Sequence, residues 1–299
     1  MRVDILTARN GGPLQWGKGL TSVLNRSQIK AKHTQSYIRW WGADIIHSTV
    51  PVPIRWKPMI VTVQGDYTLE LNVWRRFYPG TIRRADIVTT PSQRLKQKLG
   101  LEDAVVIPNA VFPEGFTPVK HEHKDKLNLI TVANFYFPSK AKGLLNIVDI
   151  LSRIQSHRFE YTVVGAGTYL EAIQQQAVRS KVRTCFMGFL PDPRTELAIS
   201  DIFLYYSHLD VFPVAILEAM ASGLPVVTNN VGAVSEMIDN GKDGYVAEND
   251  EDYLSYLRLL LGSHRLRQEI GRRARAKVEE KFSWHEVAKQ FVQLYGVLL

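Results

Sequence analysis

Two carboxylates eight residues apart are the side chains most suited to chemistry in this sequence. Asp210 and Glu218 flank Pro213, which fits the first turn of a predicted helix. Backbone N–H groups at a helix start lack intrahelical partners and favour anions, whereas carboxylates accept hydrogen bonds from vicinal hydroxyls. The segment therefore suits a ligand that carries both phosphates and sugar hydroxyls. The alternative is that Asp210 only caps the helix and Glu218 is a solvated helix residue.

The elements that must position these residues alternate between strands and helices. Short apolar runs bounded by turn residues predict buried parallel strands. The predicted strands are 2–7, 44–47, 59–63, 86–89 and 104–107, then 127–133, 161–164, 184–187, 202–205 and 225–228. Helices are predicted at 144–154, 170–180 and 215–221, and a linker at 112–126. Two such arrays predict an α/β protein with two doubly wound parallel sheets and ligands beyond the carboxyl ends of the strands.

Length and cysteine content set broad limits. A chain of 299 residues and 34.0 kDa is expected to form about two domains. Cys185 is the only cysteine, which excludes an internal disulfide and a cysteine-based zinc cluster and favours a reducing cytoplasm. We expect neither a secretory signal nor a membrane-spanning segment.

Charge is uneven along the chain. The net charge is +8, and residues 1–118 alone carry 16 basic and 8 acidic residues. Aromatic residues lie among these charges, as in the segment 74–78. The first part of the chain is therefore expected to meet an anionic partner, either nucleic acid, a phosphorylated substrate or an anionic membrane surface. A solvated basic surface is the alternative, and the basic run 272–277 is interpreted as a solvated helix face.

A longer pattern surrounds the two carboxylates. It consists of Asp210, then Glu218-Ala-Met-Ala-Ser-Gly-Leu-Pro-Val-Val, then Val231-Gly232, Glu236, Gly241 and Gly244. This pattern closely resembles the signature of the group 1 (family four) retaining glycosyltransferases. That resemblance implies the GT-B fold, in which two Rossmann-like parallel-sheet domains face each other across a cleft. Shorter matching segments are 107–111, 131–134, Lys142-Gly143, 163–167 and 282–284.

The resemblance also implies roles for individual residues. Asp210 would contact hydroxyls of the transferred sugar, Glu218 would bind the ribose, and Lys142 would neutralise the diphosphate of the leaving group. These three are the predicted catalytic residues. Backbone amides of the loop and helix start would hold the donor, and two glycines would let the first domain approach it. The residues concerned are Phe212, Pro213, Val214 and Ala215 for the amides, and Gly11 and Gly12 for the approach.

This sequence departs from the family pattern at several positions. The first acid is Asp210 rather than glutamate, and Asn134 stands where the family often has arginine, so Lys140 is a candidate for the missing charge. Gln64 replaces a first-domain histidine, and His47 falls where another family histidine occurs. These two are predicted on the acceptor or sugar side. Gly165 is predicted to bind the donor. It also begins a partial dinucleotide fingerprint, which lacks its third glycine.

The predicted domains are an acceptor-side Rossmann-like domain at 1–115, a nucleotide-sugar-binding domain at 116–281 and a C-terminal helix at 282–299 that packs back on the first domain. The predicted function is transfer of a hexose from a UDP-, GDP- or ADP-sugar to an acceptor hydroxyl, without metal or cofactor. Synthesis of a glycolipid, a polysaccharide or a glycoprotein glycan is the expected setting. A lipid-linked acceptor and attachment to the inner membrane face are expected from the basic first domain, and nucleic acid is not an expected partner.

Two rival functions stay open. One is a non-catalytic nucleotide-sugar-binding subunit, and the other is a nucleotide-sugar epimerase with the same fold. Binding to nucleic acid rests on net charge alone, and no sequence motif of a nucleic-acid module supports it.

Overall fold

A computed structural model describes residues 1–9, 11–36, 42–52, 58–69, 73–119, 126–154, 159–180 and 182–299, without the side chains of 73 and 74. The chain divides into two compact units. The first contains residues 1–111 and 281–299, and the second contains residues 112–280. No helix within the described ranges is long and apolar enough to span a membrane.

The described part of the first unit is built on a parallel sheet of six strands. Its order is β2-β1-β3-β4-β5-β6. The strands are β1 (Arg2–Leu6), β2 (Lys30–Thr34), β3 (Ile45–Ser48), β4 (Met59–Thr62), β5 (Ile87–Thr90) and β6 (Val105–Val106). The helices of this unit are α1 (Gly11–Leu24), α2 (Tyr78–Arg84), α3 (Gln93–Lys98) and α11 (Trp284–Val297). The segment after β6 pairs with the residues before α11, since Val111 and Ser283 form a parallel bridge.

The last helix packs into the core of this first unit. Trp284 lies edge-on to Trp16 of α1, with ring centroids 6.0 Å apart. His47 is fully buried under α11, and its Nδ1 lies 2.7 Å from the Tyr295 hydroxyl. Its Nε2 lies 2.6 Å from Thr62 Oγ1. The buried polar atoms of β3, β4 and α11 therefore satisfy one another, as an apolar interior requires.

The second unit repeats the architecture. Its described residues form a six-stranded parallel sheet in the order β12-β11-β10-β7-β8-β9. The strands are β7 (Leu127–Val132), β8 (Phe159–Val164), β9 (Thr184–Gly188), β10 (Ile202–Tyr205), β11 (Val226–Asn229) and β12 (Tyr245–Ala247). The helices are α4 (Pro138–Ser152), α5 (Leu170–Arg179), α6 (Arg194–Ile199), α7 (Val214–Ala221), α8 (Val234–Met237), α9 (Asp250–Gly262) and α10 (His264–Lys281).

These elements confirm the predicted α/β fold with two parallel sheets. The sequence did not predict β2 and β12, and α4 begins six residues earlier than predicted. The basic run 272–277 is not wholly solvated, which corrects the interpretation above. Lys277 is buried and lies 3.0 Å from Asp243 Oδ2, and Arg275 donates to backbone carbonyls. The predicted linker 112–126 lies partly outside the described residues.

Candidate active site

The predicted site residues of the second unit lie at one edge of its sheet. Asp210 is in the loop between β10 and α7, and Lys140 and Lys142 are in the first turns of α4, after β7. Asn134 follows β7, and Gly165 follows β8. The carboxyl ends of parallel strands meet at the same edge, which is where doubly wound sheets bind ligands. The strand order therefore brings these residues together.

Asp210 is bonded to its own chain through both carboxylate oxygens. Its Oδ2 accepts a hydrogen bond from the Tyr205 hydroxyl and lies 3.1 Å from Lys140 Nζ. Its Oδ1 accepts the N–H of Val211 at 2.8 Å. Burial and the Asp210 charge raise the pKa of Tyr205 well above its usual value, so the phenol stays neutral and donates. Asp210 and Lys140 thus form an ion pair at this edge of the sheet.

Two contacts from β11 and the loop that follows it fix the Asp210 loop. The Asn229 side chain forms two hydrogen bonds with the backbone of Ser207. Its Oδ1 accepts the N–H of Ser207 at 3.0 Å, and its Nδ2 donates to the Ser207 carbonyl oxygen at 2.8 Å. Gly232 has a φ of +54°, and a Cβ there would lie 2.5 Å from the Asp210 carbonyl oxygen. Only glycine fits such a position without displacing the loop. The position of Asp210 is therefore set by its neighbours and not only by its own loop.

The start of α7 offers backbone donors at the same edge. Phe212 is buried in the preceding loop, and Pro213 is the residue before the helix. Val214 and Ala215 are the first two helical residues and are partly exposed. The N–H groups of a first helical turn have no intrahelical acceptor and carry a partial positive charge. This arrangement can bind an anionic group.

Glu218 lies one turn further along α7 and is partly buried. Burial is the main reason that its pKa is raised to about 7. The nearby Asp192 carboxylate raises this pKa further, and the Arg194 guanidinium opposes both. Arg194 binds both carboxylate oxygens of Asp192 and donates to the Gly115 carbonyl at 3.2 Å. No hydrogen bond to the Glu218 carboxylate is found in the described part of the chain. This carboxylate can therefore accept hydrogen bonds from hydroxyl groups of a ligand.

Lys142 and Asn134 are both exposed. Within the described ranges, neither side chain has an ion pair or hydrogen bond, and their predicted contacts with a donor stay predictions. Gly143 lies deeper, because a Cβ there would lie 2.0 Å from the Tyr206 carbonyl oxygen. The glycine of the Lys142-Gly143 pair therefore permits close packing of α4 on the end of β10.

Gly165 has a structural reason to be glycine. Its φ is +146°, and a Cβ would lie 1.7 Å from the Ala133 carbonyl oxygen. Gly167 is equally restricted, since its Cβ would lie 2.1 Å from the Phe135 carbonyl carbon. The loops after β7 and β8 pack backbone to backbone here, and this contact explains both glycines without a dinucleotide.

Four predicted residues lie in the first unit. Gly11 begins α1 with a φ of +76°, and a Cβ at Gly12 would meet no atom within 4 Å. Gln64 is partly buried, and its Nε2 is without a hydrogen-bond partner in the described ranges. The expectation for His47 is corrected. Both its ring nitrogens are bonded within the core, and burial lowers its pKa to about 3, which leaves no nitrogen for a sugar hydroxyl.

Several site residues escaped the sequence analysis. Tyr205 and Asn229 end strands that were predicted as apolar runs, and their polar atoms matter only because β10 and β11 are neighbours. Asp192 and Arg194 lie outside every motif that the sequence analysis identified. A polar residue at the carboxyl end of a predicted strand was the one signal for the first two. In the described ranges, no group of three or more His, Cys, Asp or Glu side chains could hold a metal ion.

A model of one protein family matches this sequence. The model is described as glycosyl transferases group 1, and it matches residues 115–277, more than half of the chain. The matched segment contains the Asp210 loop, α7 and most of the second unit.

Two sequence relatives illustrate the range of the similarity. Spore coat protein SA of Bacillus subtilis is 36% identical over 175 residues, which are 52% of this chain and 46% of that protein. The phosphatidylinositol N-acetylglucosaminyltransferase GPI3 subunit of Saccharomyces cerevisiae is 27% identical over 301 residues, 92% of this chain and 65% of that protein. The chain spans about half the length of several curated relatives that it matches.

The fold is also that of a solved structure with a bound nucleotide sugar. Anabaena HepE in complex with UDP-glucose superposes with a TM-score of 0.79, covering 100% of both chains at 16% identity. An identity this low supports the fold, and the fold is GT-B.

Proposed function

The chain belongs to the group 1 glycosyltransferases, and from this premise we propose that it transfers a hexose from a nucleoside-diphosphate sugar to an acceptor hydroxyl with retention of anomeric configuration. In this reaction the bond between the anomeric carbon and the diphosphate breaks, and the acceptor oxygen bonds to the same face of that carbon. The acceptor proton passes to the leaving diphosphate.

One observation carries the proposal. A partly buried carboxylate, Glu218, and the free amides at the start of α7 lie on the same short helix at the ligand-binding edge of the sheet. Vicinal ribose hydroxyls bind a carboxylate, and a diphosphate binds helix N-terminal amides. The exposed ammonium of Lys142 is the group that we propose neutralises charge on the leaving diphosphate.

The proposed donor is a UDP-hexose. Support comes from HepE, whose structure contains UDP-glucose. The proposed acceptor is lipid-linked. Support comes from the yeast relative, which is named as a phosphatidylinositol N-acetylglucosaminyltransferase subunit.

We locate the proposed membrane contact on residues 73–84. This segment contains four arginines and no acidic residue. Arg75, Arg76 and Arg83 are exposed, and the Phe77 side chain is 47% exposed beside them. Arginines with an exposed aromatic ring favour an anionic lipid surface. On this proposal the protein works at the cytoplasmic face of a membrane.

Vesicle sedimentation tests the membrane contact. Wild-type protein should sediment with vesicles that contain phosphatidylglycerol and not with pure phosphatidylcholine vesicles. Replacing Arg75, Arg76 and Arg83 with glutamine should abolish this preference, whereas Arg273→Gln in α10 should not change it. Equal sedimentation of the wild type with both vesicles contradicts the proposal.

Donor binding tests the function itself. Thermal shifts with UDP-, GDP- and ADP-sugars are measured for the wild type and for Glu218→Ala. A ligand at 100 times its dissociation constant stabilises a protein by about 2.7 kcal/mol, which gives a clear shift. We expect sugars of one nucleotide class to raise the thermal midpoint of the wild type and to leave that of Glu218→Ala unchanged. No shift with any donor would remove the basis of the proposal.

A non-catalytic nucleotide-sugar-binding subunit is the second candidate. This candidate is favoured by Asp210, because both of its carboxylate oxygens already have hydrogen-bond or ion-pair partners within the chain. Binding of a donor that is neither transferred to lipid-extract acceptors nor hydrolysed would support this candidate over the transferase.

A further inference from the structure

A cavity of about 470 Å³ lies along one face of α10, within the second unit. A volume of this size is typical of sites that bind small molecules. Side chains three and four residues apart lie on one face of a helix. Five side chains of α10 with this spacing line the cavity, namely Gln268, Arg272, Arg275, Ala276 and Glu279. Val119 and Gly223 line it from outside the helix. We call it the α10 cavity.

The charge of Arg275 is already used within the protein. Its guanidinium donates to the carbonyl oxygens of Phe116 and Ala221, and to that of Pro113 at 3.3 Å. Its Nε donates to Glu279 Oε1 at 2.8 Å. These contacts hold Arg275 in place and pair its charge. In the described part of the chain, Oε2 of Glu279 has no hydrogen bond, so it is available as an acceptor.

Arg272 is the cation of the α10 cavity that a ligand can bind. Its side chain is exposed and forms no ion pair or hydrogen bond with any described residue. A guanidinium presents its N–H donors in a planar fork that binds a phosphate or carboxylate through two parallel hydrogen bonds. Gln268 lies one helical turn before Arg272, and its amide can add a donor to the same anion.

We propose that the α10 cavity binds a phosphorylated monosaccharide. Arg272 and Gln268 bind the phosphate, and Oε2 of Glu279 accepts hydrogen bonds from sugar hydroxyls. Seven residues separate Arg272 from Glu279, which is about 10 Å along a helix, so the phosphate lies apart from the carboxylate. None of the described residues that line the cavity is aromatic. The lining therefore offers no ring on which a nucleotide base could stack, and this favours a sugar phosphate over a nucleotide.

The α10 cavity is separate from the edge where we propose that the donor binds. Gly223 follows the C-terminal end of α7, whereas the amides proposed for the donor diphosphate are at the start of that helix. α7 has eight residues, so its two ends lie about 12 Å apart. The inference therefore goes beyond the proposed function and does not depend on it.

Titration calorimetry on the full chain tests this site. Glucose 1-phosphate, glucose 6-phosphate, glucose, inorganic phosphate and AMP are titrated into the wild type, Arg272→Gln and Arg273→Gln. Arg273 is the matched control, because it pairs with Glu269 on the exposed surface of the same helix and does not line the cavity. We expect at least one sugar phosphate to bind the wild type more tightly than the other three ligands. Arg272→Gln should weaken it roughly 10- to 100-fold, and Arg273→Gln by less than about twofold.

Three results would overturn the proposal. The first is that neither sugar phosphate binds the wild type, and the second is that Arg272→Gln binds as tightly as the wild type. The third is that AMP binds more tightly than both sugar phosphates, which would contradict the ligand class.

Competition with UDP tests the location of the site. Saturating UDP should change the affinity for the sugar phosphate by less than about twofold, because the two ligands bind at opposite ends of α7. Displacement of the sugar phosphate by UDP would place it at the donor edge and overturn the proposal. A wild type that binds a sugar phosphate but no nucleotide sugar would support the α10 cavity and remove the proposed function.

Glu279→Ala tests the hydroxyl end of the α10 cavity. This change removes the acceptor for the sugar and leaves Arg272 and Gln268 in place. The preference for the sugar phosphate over inorganic phosphate should therefore fall roughly tenfold. This ratio of two affinities separates recognition of the sugar from a general loss of stability, which would weaken both ligands alike. An unchanged ratio would overturn the role of Glu279.

Discussion

The Nδ1 atom of His47 lies 2.7 Å from the hydroxyl of Tyr295, so a strand near the beginning of the chain is hydrogen-bonded to the helix 284–297. Both residues are fully buried. Thr62 bonds the other ring nitrogen of His47 and also contacts the Thr89 hydroxyl at 2.6 Å. The chain of hydroxyls and imidazole therefore crosses β3, β4 and β5 beneath the helix.

We expect Tyr295→Phe to destabilise the protein by about 1–3 kcal/mol, because it leaves a buried ring nitrogen of His47 without a partner. The thermal midpoint measures this loss. Tyr136→Phe is the matched control, since the Tyr136 side chain is 60% exposed and should tolerate loss of its hydroxyl. Equal midpoints for the two variants would contradict the structural role of this hydrogen bond.

Donor binding should depend on pH through Glu218. Its pKa of about 7 means that the carboxylate ionises as pH rises through neutrality. The ionised form accepts hydroxyl hydrogen bonds more strongly, so the dissociation constant for a nucleotide sugar should fall by about tenfold between pH 6 and pH 8. Calorimetry at both pH values measures the change. Glu218→Gln should bind weakly at both, and a pH dependence that persists in this variant would assign it to another group.

Stability should show the opposite trend at the same residue. The folded protein raises the Glu218 pKa from 4.5 to about 7, so the folded state holds this proton more tightly than the unfolded state does. Stability from this group is therefore present at low pH and is lost as pH rises from about 4.5 to 7. Glu218→Gln should raise the thermal midpoint at pH 8 and change it little at pH 5. A gain of equal size at both pH values would contradict the raised pKa.

Gly232→Ala should displace the Asp210 loop. The added methyl group would lie 2.5 Å from the Asp210 carbonyl oxygen at a φ of +54°. We expect a loss of stability of about 2 kcal/mol or more and a loss of donor affinity. Gly241→Ala separates backbone strain from collision, because Gly241 has a φ of +79° and open space around it. That variant should lose about 1 kcal/mol and bind donor normally. Similar donor affinities for the two variants would show that the loop tolerates the collision.

Arg275 should matter more than its place in a basic run suggests. Its guanidinium donates to the carbonyl oxygens of Phe116, Pro113 and Ala221, the last at the end of α7. Arg275→Met should cost about 2–3 kcal/mol, because three carbonyl groups lose a charged donor. Arg273→Met, which removes only an exposed pair with Glu269 on the same helix, should cost below about 0.5 kcal/mol. Denaturant unfolding compares the two, and equal losses would contradict the role of Arg275.

The sequence predicted the strands that carry a short apolar run bounded by turn residues, whether they are fully buried, as β3 and β10 are, or partly exposed, as β9 is. It did not predict β2, in which Lys30, Lys32 and His33 interrupt any apolar pattern. β2 lies at the edge of its sheet, where charged side chains, lysine above all, are common. The hydrogen bonds that make it a strand come from β1, at a register that no local pattern in the sequence specifies.

The site was predicted residue by residue only where a motif is continuous in sequence. Glu218 and the start of α7 could be named because the pattern from Asp210 onward is local, and Lys140 because it lies six residues after Asn134, where the family often has arginine. The hydrogen bonds of Tyr205 and Asn229 depend on which strands become neighbours, and His47 could not be recognised as buried until α11 was placed. Side chains that depend on long-range packing therefore escape the sequence, even when their own strands are predicted.

The division of the chain has a consequence for the order of events during synthesis. Residues 112–280 form one continuous unit, whereas the other unit combines residues 1–111 with 281–299. The ribosome delivers residues 281–299 after the whole second unit, and domains generally fold as units as they emerge. The first unit must therefore wait with Trp16 and His47 uncovered while the second one forms. Through that interval the apolar surface around Trp16 stays open to solvent, and the arrival of α11 covers it.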